Sequence, residues 1–105
     1  KPSVRELFES LEGYAGSLGD DVLRKDLKLY IAFKRIKNFA TVVFQKDKLL
    51  VYLRIDPDKV NLVEGLTRDV RKIGHWGTGE LEISIKNQFD LEEVKPLIQR
   101  AYEGG

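Results

Sequence analysis

The chain has 105 residues, 42% of them hydrophobic and 33% charged, which fits one soluble globular domain and excludes a disordered or fibrous chain. Its 18 basic and 17 acidic residues leave a net charge of +1, so charge alone argues neither for nor against an anionic partner. Cys is absent, which excludes disulfides, thiolate metal sites, iron–sulfur clusters and a Cys nucleophile.

Residues 3 to 18 read as a helix. Val4, Leu7, Phe8, Leu11, Ala15 and Leu18 recur at spacings of three and four and share one face. Ser3 and Glu6 form a capping-box pair, and Gly19 is placed for a left-handed stop. Asp20 and Asp21 open an acidic connection. Leu27 to Lys34 then alternates, with Leu27, Leu29, Ile31 and Phe33 on one side and Lys28, Tyr30, Ala32 and Lys34 on the other, as a half-buried strand would. After a polar turn in which Asn38 can take a positive φ, Phe39 to Gln45 reads as a second strand. Lys46-Asp47 suits a tight hairpin tip. In the third strand Leu49, Val51, Leu53 and Ile55 alternate with Lys48, Leu50, Tyr52 and Arg54.

Asp56-Pro57-Asp58 ends that strand, because proline cannot continue a ladder. Thr67 is a candidate N-cap for a short helix through Ile73, with Leu66, Val70 and Ile73 inward. Glu80 to Lys86 reads as a fourth strand with Leu81, Ile83 and Ile85 inward. Asp90 is the expected cap of a last helix whose apolar face is Leu91, Val94, Leu97, Ile98 and Ala101. Pro96 conflicts with that helix, since it removes one hydrogen bond inside it. The expectation is an α+β two-layer sandwich in the order α-β-β-β-α-β-α. It has a four-stranded, mainly antiparallel sheet with both long helices on one face.

Several chemistries lack their residues. The longest unbroken apolar run, Leu49 to Leu53, is far too short to cross a bilayer, so no membrane partner is expected. One His and no Cys give no metal set, and no Asp-x-Asp-x-Asp-Gly loop exists, so no metal or cofactor is expected. Ser3, Ser10, Ser17 and Ser84 stand in none of the strained Gly-x-Ser-x-Gly turns that a nucleophile needs. Glu80, Glu82 and Lys86 share the outward side of the fourth strand, which an ordinary solvated face explains, and the Glu-x-Lys spacing of restriction-type nucleases is missing. Asp69 and His75 could pair as base and orienter, with no nucleophile placed to complete a triad.

Binding has better support than catalysis. Residues 24 to 54 carry 9 basic and 2 acidic side chains, between flanks of net −3 each. The outward sheet face would display Lys28, Tyr30, Lys34, Lys48, Leu50, Tyr52 and Arg54. Rings among cations on an open sheet suit single-stranded nucleic acid, since rings stack on bases while cations neutralise phosphates. Leu50 on that face equally suits a protein contact. The loop Gly74 to Gly79 holds the only His and the only Trp, His75 and Trp76, which either form part of a site or anchor a tight corner.

The run Arg68-Asp69-Val70-Arg71-Lys72-Ile73-Gly74-His75-Trp76-Gly77-Thr78-Gly79-Glu80, with Tyr30-Ile31-Ala32-Phe33-Lys34, Lys37-Asn38-Phe39 and Gln45-Lys46, resembles a bacterial and archaeal domain family of unknown function. The Gly-His-Trp-Gly segment is the most specific part. That resemblance implies an accessory domain at the C-terminus of larger proteins, some labelled predicted transport proteins and others endonuclease-like. It is distantly similar to the MmcQ/YjbR-like α+β group and carries no catalytic residues across. Residue 1 is Lys and Met is absent, so the chain is expected to be a module of a longer cytoplasmic protein, without a secretory leader. The expected partners are DNA or RNA, the parent's other domains, or a second copy of the chain. The residues assigned to binding are Lys28, Tyr30, Lys34, Lys48, Tyr52, Arg54, His75 and Trp76, with an enzyme component built on Asp69 and His75 as the remaining alternative.

Overall fold

In a computed structural model, which describes residues 3–74 and 79–104, helix α1 (Val4–Ser17) begins at the expected cap. The Glu6 N–H donates to Ser3 Oγ at 3.1 Å, and the Ser3 N–H donates back to Glu6 Oε1 at 3.0 Å, so two orphan donors are satisfied together. Leu7, Phe8, Leu11 and Ala15 are buried as their spacing requires. Gly19 does not take a left-handed conformation. A Cβ there would collide with the Tyr102 hydroxyl and the Asp21 carboxylate, so those two side chains would have to shift.

The sheet has six antiparallel strands, not four. They are β1 (Leu23–Asp26), β2 (Ile31–Lys34), β3 (Asn38–Phe44), β4 (Leu49–Leu53), β5 (Thr67–Asp69) and β6 (Leu81–Ile85), in spatial order β1-β2-β3-β4-β6-β5. A 3-10 turn at Pro57–Lys59 follows β4, and helix α2 (Gln88–Tyr102) closes the described chain. The single strand expected over Leu27–Lys34 is a correction. Its first half is the turn of a β1–β2 hairpin, where the Leu27 N–H donates to the Tyr30 carbonyl at 2.9 Å. Leu27 and Leu29 are therefore exposed instead of inward. No alternation announces β1, because all four of its residues are exposed.

The helix expected from Thr67 is also corrected, to edge strand β5. The Thr67 hydroxyl accepts the Val63 N–H at 2.7 Å, closing the preceding loop instead of opening a helix. Arg68 then pairs in register with Glu82. At α2 the cap is Asn87, whose side chain accepts the Asp90 N–H at 2.8 Å; Asp90 sits a turn in and accepts from Lys86 N. The helix runs through Pro96. Asn38 opens β3 without a positive φ.

Both helices lie on one side of the sheet, as expected. Their apolar faces share one core with Val42, Leu49, Val51, Leu53, Leu81, Ile83 and Ile85, which occupy the same face by register. A register shift where β2 meets β3 turns Phe39 into that core, edge-on to Tyr102 at 5.6 Å between ring centroids.

Gly79 holds the corner before β6. Its φ is +135°, and a Cβ would stand 2.8 Å from the Tyr52 carbonyl carbon, against backbone that cannot yield. Gly79→Ala should cost about 2 kcal/mol or more in urea unfolding. Gly13→Ala, in open space on α1, should stabilise by roughly 0.5–1 kcal/mol. An unchanged midpoint for Gly79→Ala would remove the steric account of this corner.

Candidate nucleic-acid interface

The sheet face turned away from the helices is built in transverse rows. One row runs in register through all six strands as Lys25, Ala32, Thr41, Tyr52, Glu82 and Arg68. Beside it lie Val43, Leu50 and Ser84. Ala32 and Thr41 are fully buried, Tyr52 is 5% exposed and Glu82 is 7% exposed. The open display expected for Tyr52 is thus corrected: its ring is on that face but withdrawn from solvent.

Burial of Glu82 demands compensation, because an ionised carboxylate taken from water is costly unless paired. Both flanking strands supply it. The Tyr52 hydroxyl donates to Glu82 Oε2 at 2.8 Å. Arg68 donates through Nε to Oε1 at 3.0 Å and through Nη2 to Oε2 at 3.1 Å, the bidentate fork that suits a carboxylate. Burial, with the Glu82 contact, pushes the Tyr52 hydroxyl up to about 12. The Arg68 side chain remains 59% exposed, so a fixed guanidinium stands on this face. Glu82 is therefore not the solvated side chain expected, and Arg68 is in a strand instead of a helix. The visible clue was that Tyr52 and Glu82 both stand on the outward side of their strands.

The other expected site residues fall into separate groups. Lys48 lines a depression of about 400 Å³ together with Arg68, Glu82, Leu50 and Ser84. Lys28 is exposed at the β1–β2 turn, beside half-buried Tyr30, and Lys34 ends β2. Arg54, just past β4, lines a second hollow at the end of α2. His75 and Trp76 lie outside the described residues. Asp69 is held by Arg71, through Nε at 3.1 Å and Nη2 at 2.7 Å, and also accepts the Arg71 backbone N–H. These bonds hold its carboxyl below the usual carboxylate range, which suits an ion-pair anchor and makes it a poor proton acceptor. Arg71 binds Asp58 on its other side.

Charge is segregated between the layers. The outward sheet residues include Lys25, Lys34 and Lys48 against Glu80, while Arg68 and Glu82 cancel one another. On the opposite layer α1 carries Arg5 against Glu6, Glu9 and Glu12, and α2 carries Lys95 and Arg100 against Asp90, Glu92 and Glu93. Among the described residues no cluster of three metal-binding side chains occurs, and no helix is long and apolar enough to cross a membrane.

The chain belongs to the family described as a domain of unknown function (DUF5655), whose model matches residues 1–104. It is 32% identical over 98 residues to an uncharacterized protein of Haemophilus influenzae, covering 93% of this chain and 32% of that protein. The chain thus spans about a third of the length of this curated relative. No solved structure matches.

Tyr52→Phe leaves one Glu82 contact unmade and should destabilise by about 1–3 kcal/mol at neutral pH. A tyrosine whose folded pKa lies above its unfolded one stabilises fully below pH 10 and loses that contribution as pH rises through about 12. The stability gap between wild type and Tyr52→Phe, followed by urea unfolding, should therefore shrink across that window. A gap that stays constant to the top of it would dissociate the hydroxyl from Glu82.

Proposed function

We propose that this member of the DUF5655 family is a non-catalytic, nucleic-acid-associated module of a cytoplasmic multidomain protein. It holds a phosphate backbone against the sheet face opposite its helices. The supporting observation is the charge segregation just described: a basic face backed by an acidic helix layer gives an anionic polymer one favourable side to approach. Lys34 and Lys48 are the principal contacts, with Lys25 and Lys28 at the β1 margin and Arg54 just past the end of β4. Because Tyr52 is committed to Glu82, base stacking falls to Tyr30 alone. Phosphate contact therefore dominates, and the module positions the strand without reading its sequence. His75 and Trp76 are assigned to the same partner on sequence grounds. The threefold greater length of the Haemophilus relative supports a module within a larger protein.

A second reading, docking on another domain or on a second copy, is favoured by three exposed leucines, Leu23 on edge strand β1 and Leu27 and Leu29 in the turn that follows it. Sedimentation velocity separates the two: a stable dimer lost on Leu23→Lys would favour docking.

For the leading proposal the measurement is fluorescence anisotropy on a short duplex over a salt series. With about four phosphate contacts, affinity should fall about a hundredfold between roughly 50 and 200 mM salt. Lys34→Glu with Lys48→Glu should flatten the log–log slope by about 2, whereas Glu9→Lys on α1 should not flatten it. No binding at low salt, or equal losses from both layers, would overturn the proposal.

A further inference from the structure

A second concave site lies at the C-terminal end of α2 and shares only Arg54 with the sheet-face proposal. It is a cavity of about 340 Å³ whose walls include Arg35, Ile36, Lys37, Phe39, Arg54 and Tyr102. Its local construction is explicit. The β2–β3 turn presents Arg35 and Lys37, with the Arg35 N–H donating to the Lys37 carbonyl at 3.2 Å. The register shift drives Phe39 inward as part of the floor, and the Arg54 N–H donates to the Phe39 carbonyl at 3.1 Å, which brings Arg54 alongside.

The three cations differ in what they already do. Arg35 is fully employed: Nε donates to Asp21 at 2.9 Å, Nη1 donates to the Tyr102 carbonyl at 3.3 Å, and the guanidinium lies 4.6 Å from the Tyr102 ring centroid. The Tyr102 hydroxyl donates to the same Asp21 carboxylate at 2.6 Å, so the wall is cross-braced. Lys37 and Arg54 have no side-chain partner among the described residues. The one carboxylate of the lining, Glu103, accepts from Gln99 Nε2 at 3.2 Å. The helix end, which would otherwise repel an anion, is answered: the Glu103 N–H caps the Gln99 carbonyl, the Gly104 N–H caps that of Ala101, and Arg35 takes that of Tyr102. Two unspent cations therefore share a hollow with an aromatic wall, and no acceptor from the described chain holds them there.

We propose that this cavity binds a phosphate monoester carried on a ring, a nucleoside 5′-monophosphate, either free or at the 5′ end of a strand. The phosphate oxygens meet Lys37 and Arg54 in charge-assisted hydrogen bonds. The sugar and base lie over Ile36 and the Tyr102 side. Inorganic phosphate would leave most of the volume empty, whereas 340 Å³ falls in the range of small-molecule sites.

The test is amide chemical-shift titration of the protein with AMP, adenosine and inorganic phosphate. AMP should shift the Lys37, Arg54 and Gly104 amides and bind at least about tenfold tighter than either of the others. Lys37→Glu, on an exposed turn, should weaken AMP about tenfold or more, while Lys48→Glu on the sheet face should leave AMP binding unchanged. Tighter binding of a 5′-phosphorylated than of a 5′-hydroxyl oligonucleotide would assign the strand end as the source; AMP binding without that difference would assign the free nucleotide. Adenosine or inorganic phosphate binding as well as AMP would overturn the proposal, as would indifference to Lys37→Glu. Duplex binding that survives such a result leaves the sheet-face proposal standing, since Lys37 is not among its contacts.

Discussion

A carboxylate set into the middle of a sheet has to be answered by its neighbours, and the answer given to Glu82 organises half of this molecule. Tyr52 from β4 and Arg68 from β5 reach it from opposite sides, each directly in register. Breaking such a buried set by removing one partner costs several kcal/mol, far more than an exposed ion pair. A slip of one residue in either ladder would carry Glu82 into the apolar core and bring Leu81 or Ile83 out. The triad thus penalises every register of β4–β6–β5 but the one observed. It also explains why a three-residue segment at the sheet edge stays a strand: Arg68 needs extended backbone to align its fork with Glu82.

Residues whose environment is local were legible from sequence. The α1 cap, the apolar faces of both helices, the Lys46-Asp47 hairpin and β6 all announce themselves through spacing or turn chemistry. The two edge strands did not. β1 has four exposed residues and no apolar period, and what holds it besides its ladder is non-local: Arg24 bonds Glu12 of α1 and lies 5.2 Å from the Phe8 ring centroid. In β5, Leu66 and Val70 mimic helical spacing, while the bonds that decide the matter run to Val63 and Glu82. Alternation over Leu27–Lys34 was genuine yet misleading, because a hairpin turn in the middle of the run satisfies the same pattern.

The candidate site was half legible for a related reason. A face can be read from parity, and Tyr52 and Glu82 stand on the outward side that parity gives them, whereas Arg68 was expected in a helix. Accessibility cannot be read that way. Tyr52 sits beside small Thr41 and directly opposite Glu82, so neighbours on the same face remove it from solvent without any helix covering it. The aromatic–cation motif that suggested stacking is, in its central member, a hydrogen-bonded support for a carboxylate.

The cations sort themselves by chemistry. Arg24, Arg35, Arg68 and Arg71 hold carboxylates, tying α1 to β1, the β2–β3 turn to Asp21, β5 to β6, and Asp58 to Asp69. A planar fork with a permanent charge suits that work, whereas the lysine pairs Lys86–Asp90 and Lys95–Glu92 join only near neighbours in the chain. Lys25, Lys34, Lys37 and Lys48 form no ion pair among the described residues. Arg5, Arg54 and Arg100 hold no carboxylate among the described residues, and of these Arg54 lines the α2 cavity. A net charge of +1 conceals this division, because the paired arginines cancel acids that are structurally spent. Part of the unpaired remainder stands on the sheet face, as Lys25, Lys34 and Lys48, and part in the α2 cavity, as Lys37 and Arg54. Because those lysines hold nothing in place, reversing their charge perturbs recognition while leaving the fold's own electrostatics intact.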